Sequence, residues 1–322
     1  MKAIRVKQYG GPEALVIDDI PVPEPGVGQV RVRLEAIGVN FIDVYHRTGA
    51  YKSELPITPG REGAGVVDAL GSGVEEVQVG DRVAFAMVPE TYAEYVVLDA
   101  AKTAPLPDDV SSEQGAAIML QGMTAHYLVH DTYSLSEGDT CLVHAAAGGV
   151  GHVLVQLAKL RGARVIGTAS TPEKIEFARQ AGADEMIRYT ETDFEEETMR
   201  LTNGRGVDVV YDSVGKDTFM KSMRTLRPRG YLVLYGQSSG AVAPIDPQIL
   251  NSHGSLFLTR PSLGHYLLDR AELLKRTSDL FALIGSGRLQ VRVDKTFALD
   301  EAPEAHRYLE GRNTMGKILL IP

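Results

Sequence analysis

The sequence predicts an α/β protein that combines a doubly wound parallel sheet with a second, β-rich domain. Three observations lead to this prediction. Residues 140–158 read as a short apolar strand, a glycine-rich turn and an apolar-periodic helix. From about residue 124 onward, strand-like and helix-like runs alternate, which is the pattern of a parallel sheet covered by helices. The residues before this point form short β-type runs that Gly and Pro interrupt.

The β-rich part covers residues 1–122. Turn clusters at residues 21–28 and 56–60 separate its strands, so a partly closed sheet is expected. The predicted strands are Lys2–Val6, Leu15–Asp19, Gln29–Ala36, Gly65–Ala69, Arg82–Ala86 and Tyr92–Leu98.

The alternating part and the tail complete the chain. With 322 residues, the chain exceeds the length of one average domain of about 150 residues, so two domains are expected. The strands predicted after the glycine-rich stretch are Arg164–Ala169, Glu185–Tyr189, Val207–Tyr211, Tyr231–Tyr235 and Leu256–Thr259, with a helix at Asp217–Leu226. For the tail, the part of the chain after these strands, the sequence predicts a helix from about Tyr266 to Ile284, a strand Gln290–Val293, a helix Pro303–Glu310 and a strand Lys317–Ile321.

The glycine-rich turn predicts a dinucleotide phosphate site. Ala146, Gly148 and Gly151 occupy the three glycine positions of the G-x-G-x-x-G fingerprint, with Ala in place of the first Gly. A helix that starts at such a turn presents unpaired N–H groups and partial positive charge to a phosphate. The residues expected to line this site are Ala147, Gly148, Gly149, Val150 and Gly151.

The residues at the end of the next predicted strand, Arg164–Ala169, indicate that the cofactor is NADPH rather than NADH. An NAD site usually places a carboxylate there to bind the ribose 2′-hydroxyl. This chain has Ala169 and then Ser170, with Lys174 four residues further on, and these can accept a 2′-phosphate. A second interpretation is that Ser170 or Thr171 only caps a helix that has Pro172 in its first turn. The two interpretations are compatible.

Composition and charge narrow the class of protein. The formal net charge of −9 argues against nucleic acid or an anionic membrane as a main partner. No apolar run reaches the roughly 18 residues of a membrane span, and the N-terminus does not resemble a signal peptide. The single cysteine, Cys141, lies in a predicted buried strand and cannot form an internal disulfide. A cytoplasmic location is therefore expected.

Several segments together resemble the zinc-independent quinone oxidoreductases of the medium-chain dehydrogenase/reductase superfamily, the group that includes zeta-crystallin. The resemblance covers essentially the whole chain. It rests on the segments 38–43 (GVNFID), 59–65 (PGREGAG), 80–83 (GDRV), 120–125 (LQGMTA), 146–151 (AAGGVG), 212–215 (DSVG) and 316–317 (GK).

The resemblance implies a Rossmann domain at residues 123–262. It also implies a discontinuous GroES-like catalytic domain made of residues 1–122 and 263–322. A homodimer built through the cofactor domains is expected as well, with the strand Leu256–Thr259 as its candidate edge.

The same comparison predicts that no metal is bound. The zinc-dependent relatives place a Cys ligand near the position of Asn40 and a His near that of Arg61, and their structural zinc needs four Cys. A catalytic Zn²⁺ needs about three protein ligands of Cys, His or carboxylate type. His126 and His130, four residues apart on a predicted helix, are the best remaining metal candidates and are better interpreted as solvated or capping residues.

Candidate catalytic residues are Asn40, Tyr45 and Arg260. Asn40 could hydrogen-bond a cofactor or substrate oxygen, and Tyr45 could donate a proton or stack on a flat ring. Arg260 could line the site or form a surface ion pair. Asn40 could equally be the N-cap of a helix that ends just before Gly49. Asp43 is expected to be structural.

The resemblance supplies the remaining cofactor contacts. Thr124 matches a position near the nicotinamide, while Lys174 and Tyr189 match the 2′-phosphate and adenine region. Ser213 follows a predicted strand at the sheet edge where ligands of open α/β sheets bind. Arg312 could reach the phosphate from the tail or remain a solvated loop residue.

The sequence thus predicts a zinc-free, NADPH-dependent reductase of quinones. Without a Lewis acid, such an enzyme mainly holds the nicotinamide against an easily reduced acceptor and excludes water. Two alternatives remain open. One is NADPH-dependent reduction of the C=C bond of an enal or enone on the same scaffold. The other is a non-enzymatic NADPH-binding protein of the crystallin or nucleic-acid-binding kind.

Overall fold

The computed structural model describes all 322 residues and divides them into two compact units. The first unit contains residues 1–123 and 267–322, and the second contains residues 124–266. No helix in either unit has the length and apolar character that crossing a membrane would require.

The first unit is mainly β-structure. Its strands are β1 (Lys2–Val6), β2 (Leu15–Asp19), β3 (Gln29–Val39), β4 (Glu62–Leu70), β5 (Arg82–Ala86), β6 (Tyr95–Asp99), β7 (Ala104–Pro105), β14 (Val293–Ala298) and β15 (Lys317–Ile321). Its helices are α1 (Phe41–Thr48), α8 (Arg270–Gly285) and α9 (Ala302–Glu310), and α2 (Ser112–Tyr127) continues into the second unit.

A seven-stranded sheet forms the centre of the first unit. Its order is β14-β15-β3-β4-β5-β7, with β6 also paired to β3, while β1 and β2 form a separate antiparallel pair. The C-terminal part of the chain joins the N-terminal part in this sheet, because β15 pairs antiparallel with the end of β3. Ile37, Phe85, Tyr92 and Ile318 are buried in one core beside the sheet. The tail is therefore an integral part of the first unit.

The second unit is a six-stranded, fully parallel sheet. Its strands are β8 (Thr140–Val143), β9 (Arg164–Ala169), β10 (Glu185–Arg188), β11 (Val207–Asp212), β12 (Leu226–Leu234) and β13 (Phe257–Thr259), in the order β10-β9-β8-β11-β12-β13. The helices are α3 (Gly149–Leu160), α4 (Pro172–Gln180), α5 (Phe194–Leu201), α6 (Phe219–Arg224) and α7 (Gln248–Ser252). Since β8 lies between β9 and β11, the order reverses at β8, and ligands of doubly wound sheets bind at such a point.

The predicted fold class is confirmed, and several element boundaries are corrected. Strand β3 runs to Val39 instead of ending at Ala36, because its last residues pair with β4 and β15. The long tail helix begins at Arg270 and not near Tyr266, since Asp269 has extended backbone and caps the N–H of Glu272.

The predicted strand Gln290–Val293 is wrong. The strand of this region is β14, which starts at Val293 and runs to Ala298. It pairs in parallel with β15, so a distant partner in the chain decides where it lies. The predicted helix Asp217–Leu226 is shorter, at Phe219–Arg224, because Leu226 already belongs to β12.

Candidate functional site

The turn between β8 and α3 has the shape of a phosphate cradle. Gly148 has extended backbone (φ −76°, ψ 174°) and stands at the N-cap of α3, where it offers no side chain to the first N–H groups of the helix. The first turn of α3 carries no acidic residue. The N–H groups and the positive end of the helix dipole are therefore available to an anion.

Close packing holds this turn against the sheet. An added Cβ at Gly151 would lie 2.2 Å from the carbonyl oxygen of Ala145, and one at Gly167 would lie 2.9 Å from the Cβ of Ala146. Ala145 itself has a positive φ of 52°. The small residues of the fingerprint are thus required by contact between turn, helix and strand.

The candidates for the adenosine end gather where β9 and β10 finish. Ala169 is the last residue of β9 and pairs with Arg188 of β10, so Ser170 and Tyr189 follow neighbouring strand ends. Thr171 is the N-cap of α4, and its hydroxyl oxygen accepts the N–H of Lys174 at 3.4 Å. The capping role therefore falls to Thr171, not to Ser170.

Arg188 joins these candidates, and the sequence reasoning missed it. Its Nε donates to the carbonyl oxygen of Ser170 at 3.4 Å, and its guanidinium pairs with Glu191. This side chain therefore lies next to Ser170, where a 2′-phosphate would need positive charge. The sequence signal was a basic residue at the end of a strand adjacent to the fingerprint strands.

A buried carboxylate shapes the loop that carries Ser213. Asp212, the last residue of β11, accepts the N–H groups of Val214 (2.8 Å) and Gly215 (3.0 Å). Its other oxygen accepts the hydroxyls of Thr218 (2.8 Å) and Ser222 (2.9 Å). Ser213 is thereby held in a defined position at the end of the strand next to β8.

His144 links that carboxylate to the glycine-rich turn. Because Ser222 donates to Asp212, its oxygen accepts from Nε2 of His144, at 3.0 Å. Nδ1 of His144 then accepts the hydroxyl of Thr168 at 3.1 Å. Burial lowers the pKa of His144, so the ring stays neutral and fits this pattern.

Two more predicted residues belong to the second unit. Arg260 is exposed and directly follows β13, at the same edge of the sheet as Ser213. Thr124 is buried inside α2.

In the first unit, Asn40 belongs to a buried polar cluster at the start of α1. Its Oδ1 accepts Nζ of Lys317 at 2.8 Å, and its Nδ2 donates to Oε1 of Glu62 at 2.7 Å and to the Gly38 carbonyl at 3.4 Å. Lys317 and Glu62 also form a direct ion pair, and both are essentially unexposed. Asn40 therefore has both amide hydrogens engaged and retains acceptor capacity on Oδ1.

The sequence reasoning missed Glu62 and Lys317 as members of this cluster. Both lie in segments that carried the family resemblance, PGREGAG and GK, without a role being assigned to them. The available signal was a charged residue directly before a run of small or apolar strand residues, which requires a partner when it is buried.

A second buried network lies behind α1. Oδ2 of Asp43 accepts the N–H of Asn40 at 2.8 Å and the hydroxyl of Tyr92 at 3.0 Å. His306 of α9 contacts that hydroxyl through Nε2 at 3.0 Å and contacts Arg47 through Nδ1 at 2.9 Å. Burial raises the pKa of Asp43 to about 7 and lowers the pKa of His306 to about 3. This network ties α1 to α9.

Tyr45 lies in a half-buried aromatic group on α1 and the residues after it. Its ring centroid is 5.2 Å from that of Tyr51 and 6.4 Å from that of Phe41. His46 is next to this group, with Nε2 accepting from Arg61 at 2.9 Å. Burial and the Arg61 charge lower the pKa of His46, so it is neutral near pH 7. The rings are tilted against one another, by 35° between Phe41 and Tyr45 and by 60° between Tyr45 and Tyr51, and together they form an aromatic surface on which a planar ligand could pack.

Arg312 follows α9 in an exposed turn, with a φ of 56°. Asp294 holds the end of this turn, since its Oδ2 accepts the N–H of Met315 at 3.0 Å and the hydroxyl of Tyr308 at 3.1 Å. Arg312 belongs to the first unit together with Asn40 and Tyr45, whereas the other predicted site residues belong to the second.

No group of three or more His, Cys, Asp and Glu side chains in the structure could hold a metal ion. His126 and His130 do come together, with ring centroids 4.3 Å apart.

Two family models match consecutive parts of the chain. The alcohol dehydrogenase GroES-like domain matches residues 26–137, and the zinc-binding dehydrogenase model matches residues 149–267. In this order the two models describe a medium-chain dehydrogenase/reductase, in agreement with the β-rich unit and the doubly wound unit.

Individual proteins narrow the class further. The chain is 47% identical to a quinone oxidoreductase of Pseudomonas aeruginosa, covering 100% of this chain and 99% of the relative. It is 46% identical to a 2-haloacrylate reductase of a Burkholderia species, with 98% of each covered. The crystal structure of Escherichia coli quinone oxidoreductase complexed with NADPH superimposes with a TM-score of 0.98 at 43% identity, covering 100% of both chains. The chain therefore belongs to the quinone oxidoreductase family of the medium-chain dehydrogenases/reductases, which confirms the family predicted from its motifs.

Proposed function

We propose that the protein is an NADPH-dependent quinone reductase. The observation that carries this proposal is the cradle at β8 and α3, combined with the absence of a carboxylate at the end of β9. A pyrophosphate fits the uncapped start of α3, where Gly151 keeps the helix close to the turn. Ser170, Lys174 and Arg188 are suited to the 2′-phosphate that distinguishes NADPH from NADH. The full-length similarity to quinone oxidoreductases supports the substrate class.

The remaining predicted residues are assigned by the same proposal. Ala147, Gly148, Gly149, Val150 and Gly151 bind the pyrophosphate, and Tyr189 and Arg312 serve the adenosine end. Thr124, Ser213 and the acceptor oxygen of Asn40 serve the nicotinamide end. We assign residues 1–122 and 263–322 to the catalytic domain and residues 123–262 to the cofactor domain.

When bound, the nicotinamide supplies a hydride. In the two-electron reaction the quinone gains this hydride and one proton, and the product is the hydroquinone. The aromatic surface of Phe41, Tyr45 and Tyr51 would hold the planar acceptor, and the Tyr45 hydroxyl or water would provide the proton. Arg260 would stabilise negative charge that develops on the acceptor oxygen.

A second candidate function is reduction of an activated C=C bond. The observation that favours it is the 46% identity to a 2-haloacrylate reductase. Such a reaction also takes a hydride, but the proton must be delivered to carbon beside the activating group. Tyr45 would then be essential and not merely helpful.

Initial rates with a panel of acceptors test both candidates. NADPH and NADH are each offered with 9,10-phenanthrenequinone, 1,4-benzoquinone, 2-cyclohexenone and 2-chloroacrylate. Quinone turnover with NADPH preferred is expected. Turnover of the two alkenes alone would move the function to C=C reduction, and NADPH binding without any turnover would favour a non-enzymatic role.

Lys174→Glu tests the cofactor assignment. The substitution places negative charge beside the 2′-phosphate, so the Kd for NADPH should rise at least tenfold, whereas the Kd for NADH should change little. Lys102→Glu, an exposed charge reversal in the first unit, is the matched control and should leave both values unchanged. Equal losses for both cofactors in Lys174→Glu would place the 2′-phosphate elsewhere.

We also propose a homodimer through the edge strand β13. Its outer side is available for pairing with a second copy, as a sheet edge requires. Phe257 on this strand is 50% exposed and stacks on Tyr231 at 4.5 Å, which gives the edge an apolar centre.

A further inference from the structure

The buried network behind α1 has a fixed direction of hydrogen bonding. The Arg47 guanidinium has no acceptor, so it must donate to Nδ1 of His306. The ring proton of His306 is then on Nε2 and is donated to the oxygen of Tyr92. The Tyr92 hydroxyl in turn donates to Oδ2 of Asp43. All three hydrogen bonds of this chain therefore point in one direction, from Arg47 toward the carboxylate of Asp43.

Asp43 also connects this network to the first turn of α1. It is the third residue of the helix, and its Oδ2 accepts the N–H of Asn40, the residue that precedes the helix. Its other oxygen, Oδ1, is buried and has no hydrogen-bond partner. One oxygen atom thus connects the network that reaches α9 to the start of α1.

The charged side chains around Asp43 form ion pairs with one another and not with Asp43. Glu62 of β4 pairs with Lys317 of β15, and Arg47 of α1 pairs with Glu310 of α9 at 2.8 Å. The neutral His306 of α9 and Tyr92 complete the ionisable groups that face the site. Burial is the main cause that raises the pKa of Asp43 to about 7, and the neighbouring Lys317 opposes it. The charge of Asp43 therefore changes within the neutral range of pH.

We propose that Asp43 is a positioning residue whose protonated form holds the first turn of α1, and with it Asn40 and Tyr45, in the reactive arrangement. The two donors on Oδ2 and the start of the helix favour the ionised carboxylate, but Oδ1 is buried without a donor and no cation pairs with Asp43. The negative charge is therefore better solvated when the turn opens to water than when it is closed. Ionisation favours opening, so the turn loosens as the pH rises. The link to activity rests on the proposed function, in which Asn40 and Tyr45 face the ligands.

Hydrogen exchange of the protein without cofactor tests the structural part. Amide protection of the peptide that covers residues 38–46 is measured by mass spectrometry from pH 5.5 to 8.5 and corrected for the intrinsic exchange rate. The first-turn amides should be about fivefold to tenfold better protected at the low-pH end than at the high-pH end, with a midpoint near pH 7. In Asp43→Asn, protection should stay at the low-pH level throughout. Protection that is independent of pH in the unsubstituted protein would overturn the proposal.

Tyr92→Phe provides a second variant in case Asp43→Asn does not fold. It removes a donor that favours the ionised carboxylate, so the midpoint should move to higher pH. Tyr211→Phe is the matched control, because Tyr211 is equally buried and its hydroxyl donates only to the carbonyl of Leu128 in the second unit. A midpoint that Tyr92→Phe leaves in place, or that Tyr211→Phe moves equally, would contradict the assignment.

Kinetic measurements test the link between the state of Asp43 and activity. With 9,10-phenanthrenequinone, kcat should fall as the pH rises over the same range and with the same midpoint, while KM for NADPH should change little. In Tyr92→Phe the kinetic midpoint should move together with the exchange midpoint. Absence of quinone turnover in the unsubstituted protein would end the proposed function, whereas a pH-dependent exchange would still stand. A kinetic midpoint that does not follow the exchange midpoint would overturn the positioning role.

Discussion

Asp43 and His306 belong to one buried network, and burial shifts their pKa values in opposite directions. Both are hydrogen-bonded to the hydroxyl of Tyr92, and burial favours the neutral form of each. For Asp43 the neutral form is protonated, so its pKa rises from 3.8 to about 7. For His306 the neutral form is deprotonated, so its pKa falls from 6.5 to about 3. The same physical cause therefore has opposite consequences for proton binding.

Their effects on stability should nearly cancel in the unsubstituted protein. Between about pH 4 and 7, the folded state keeps a proton on Asp43 that the unfolded state has released, so this group makes stability fall as the pH rises. Between about pH 3 and 6.5, the unfolded state protonates His306 and the folded state does not, so this group makes stability rise with pH. The contribution of each group is about 5 kcal/mol at most, since a one-unit difference in pKa corresponds to roughly 1.4 kcal/mol.

Single substitutions should reveal each contribution. Relative to the unsubstituted protein, Asp43→Asn should gain stability as the pH rises from 4.5 to 7, because the cost of ionising the buried carboxylate is gone. His306→Gln, which can still accept from Arg47 and donate to Tyr92, should lose relative stability over the same range. The urea midpoint at each pH is the measurement. Two variants whose midpoints run parallel to that of the unsubstituted protein would show that neither group titrates as described.

At the scale of the element, the β8 turn and α3 combine the proposed phosphate-binding role with a packing role. The turn must come close to the sheet so that the helix start can face a phosphate, and Gly151 allows this approach. The Asp212 loop next to it is equally constrained, since two backbone N–H groups and two hydroxyls converge on one carboxylate. The structure therefore explains why small and polar residues occupy these strand ends.

Gly151→Ala should damage both roles. The added Cβ would meet the backbone carbonyl of Ala145, which cannot move without displacing the turn. We expect a loss of about 1–3 kcal/mol in stability and at least a tenfold rise in the Kd for NADPH. Calorimetry and cofactor titration measure the two effects.

Gly26→Ala is the matched control for that substitution. Its added Cβ would lie 3.1 Å from the amide oxygen of Gln29, the flexible end of a side chain. Both properties should stay near those of the unsubstituted protein. Unchanged NADPH affinity in Gly151→Ala would mean that the turn does not hold the cofactor.

At the scale of the whole molecule, the exposed sheet edge at β13 is the proposed interface of the homodimer. Phe257 is half exposed on a short edge strand, and a charge at such a position discourages pairing between sheets. Phe257→Glu should therefore convert the proposed dimer to a monomer in sedimentation equilibrium. Val79→Glu, which charges an equally exposed apolar site in the first unit, should remain dimeric. A monomeric unsubstituted protein would refute the dimer, and a dimeric Phe257→Glu would move the interface elsewhere.

Much of the proposed cofactor site rests on signals that are local in the sequence. The fingerprint residues, the absence of a carboxylate after β9 and the strand ends that bear Ser170 and Ser213 are all visible within short segments. Arg188 was missed because its relevance depends on the pairing of β10 with β9. The start of β14 was misplaced because only its pairing with β15 fixes it.

The sequence by itself determined the fold class, the family, the glycine-rich turn and the type of cofactor proposed for it. These follow from periodicity, small residues and short motifs, which act over a few residues. Only the tertiary structure decided the state of the buried groups around α1. Asp43, Tyr92 and His306 are up to 263 residues apart in sequence from one another, and their pairing depends on how the tail packs against the first strands. Burial and partner geometry set their protonation, and neither can be read from residues that are distant in the chain.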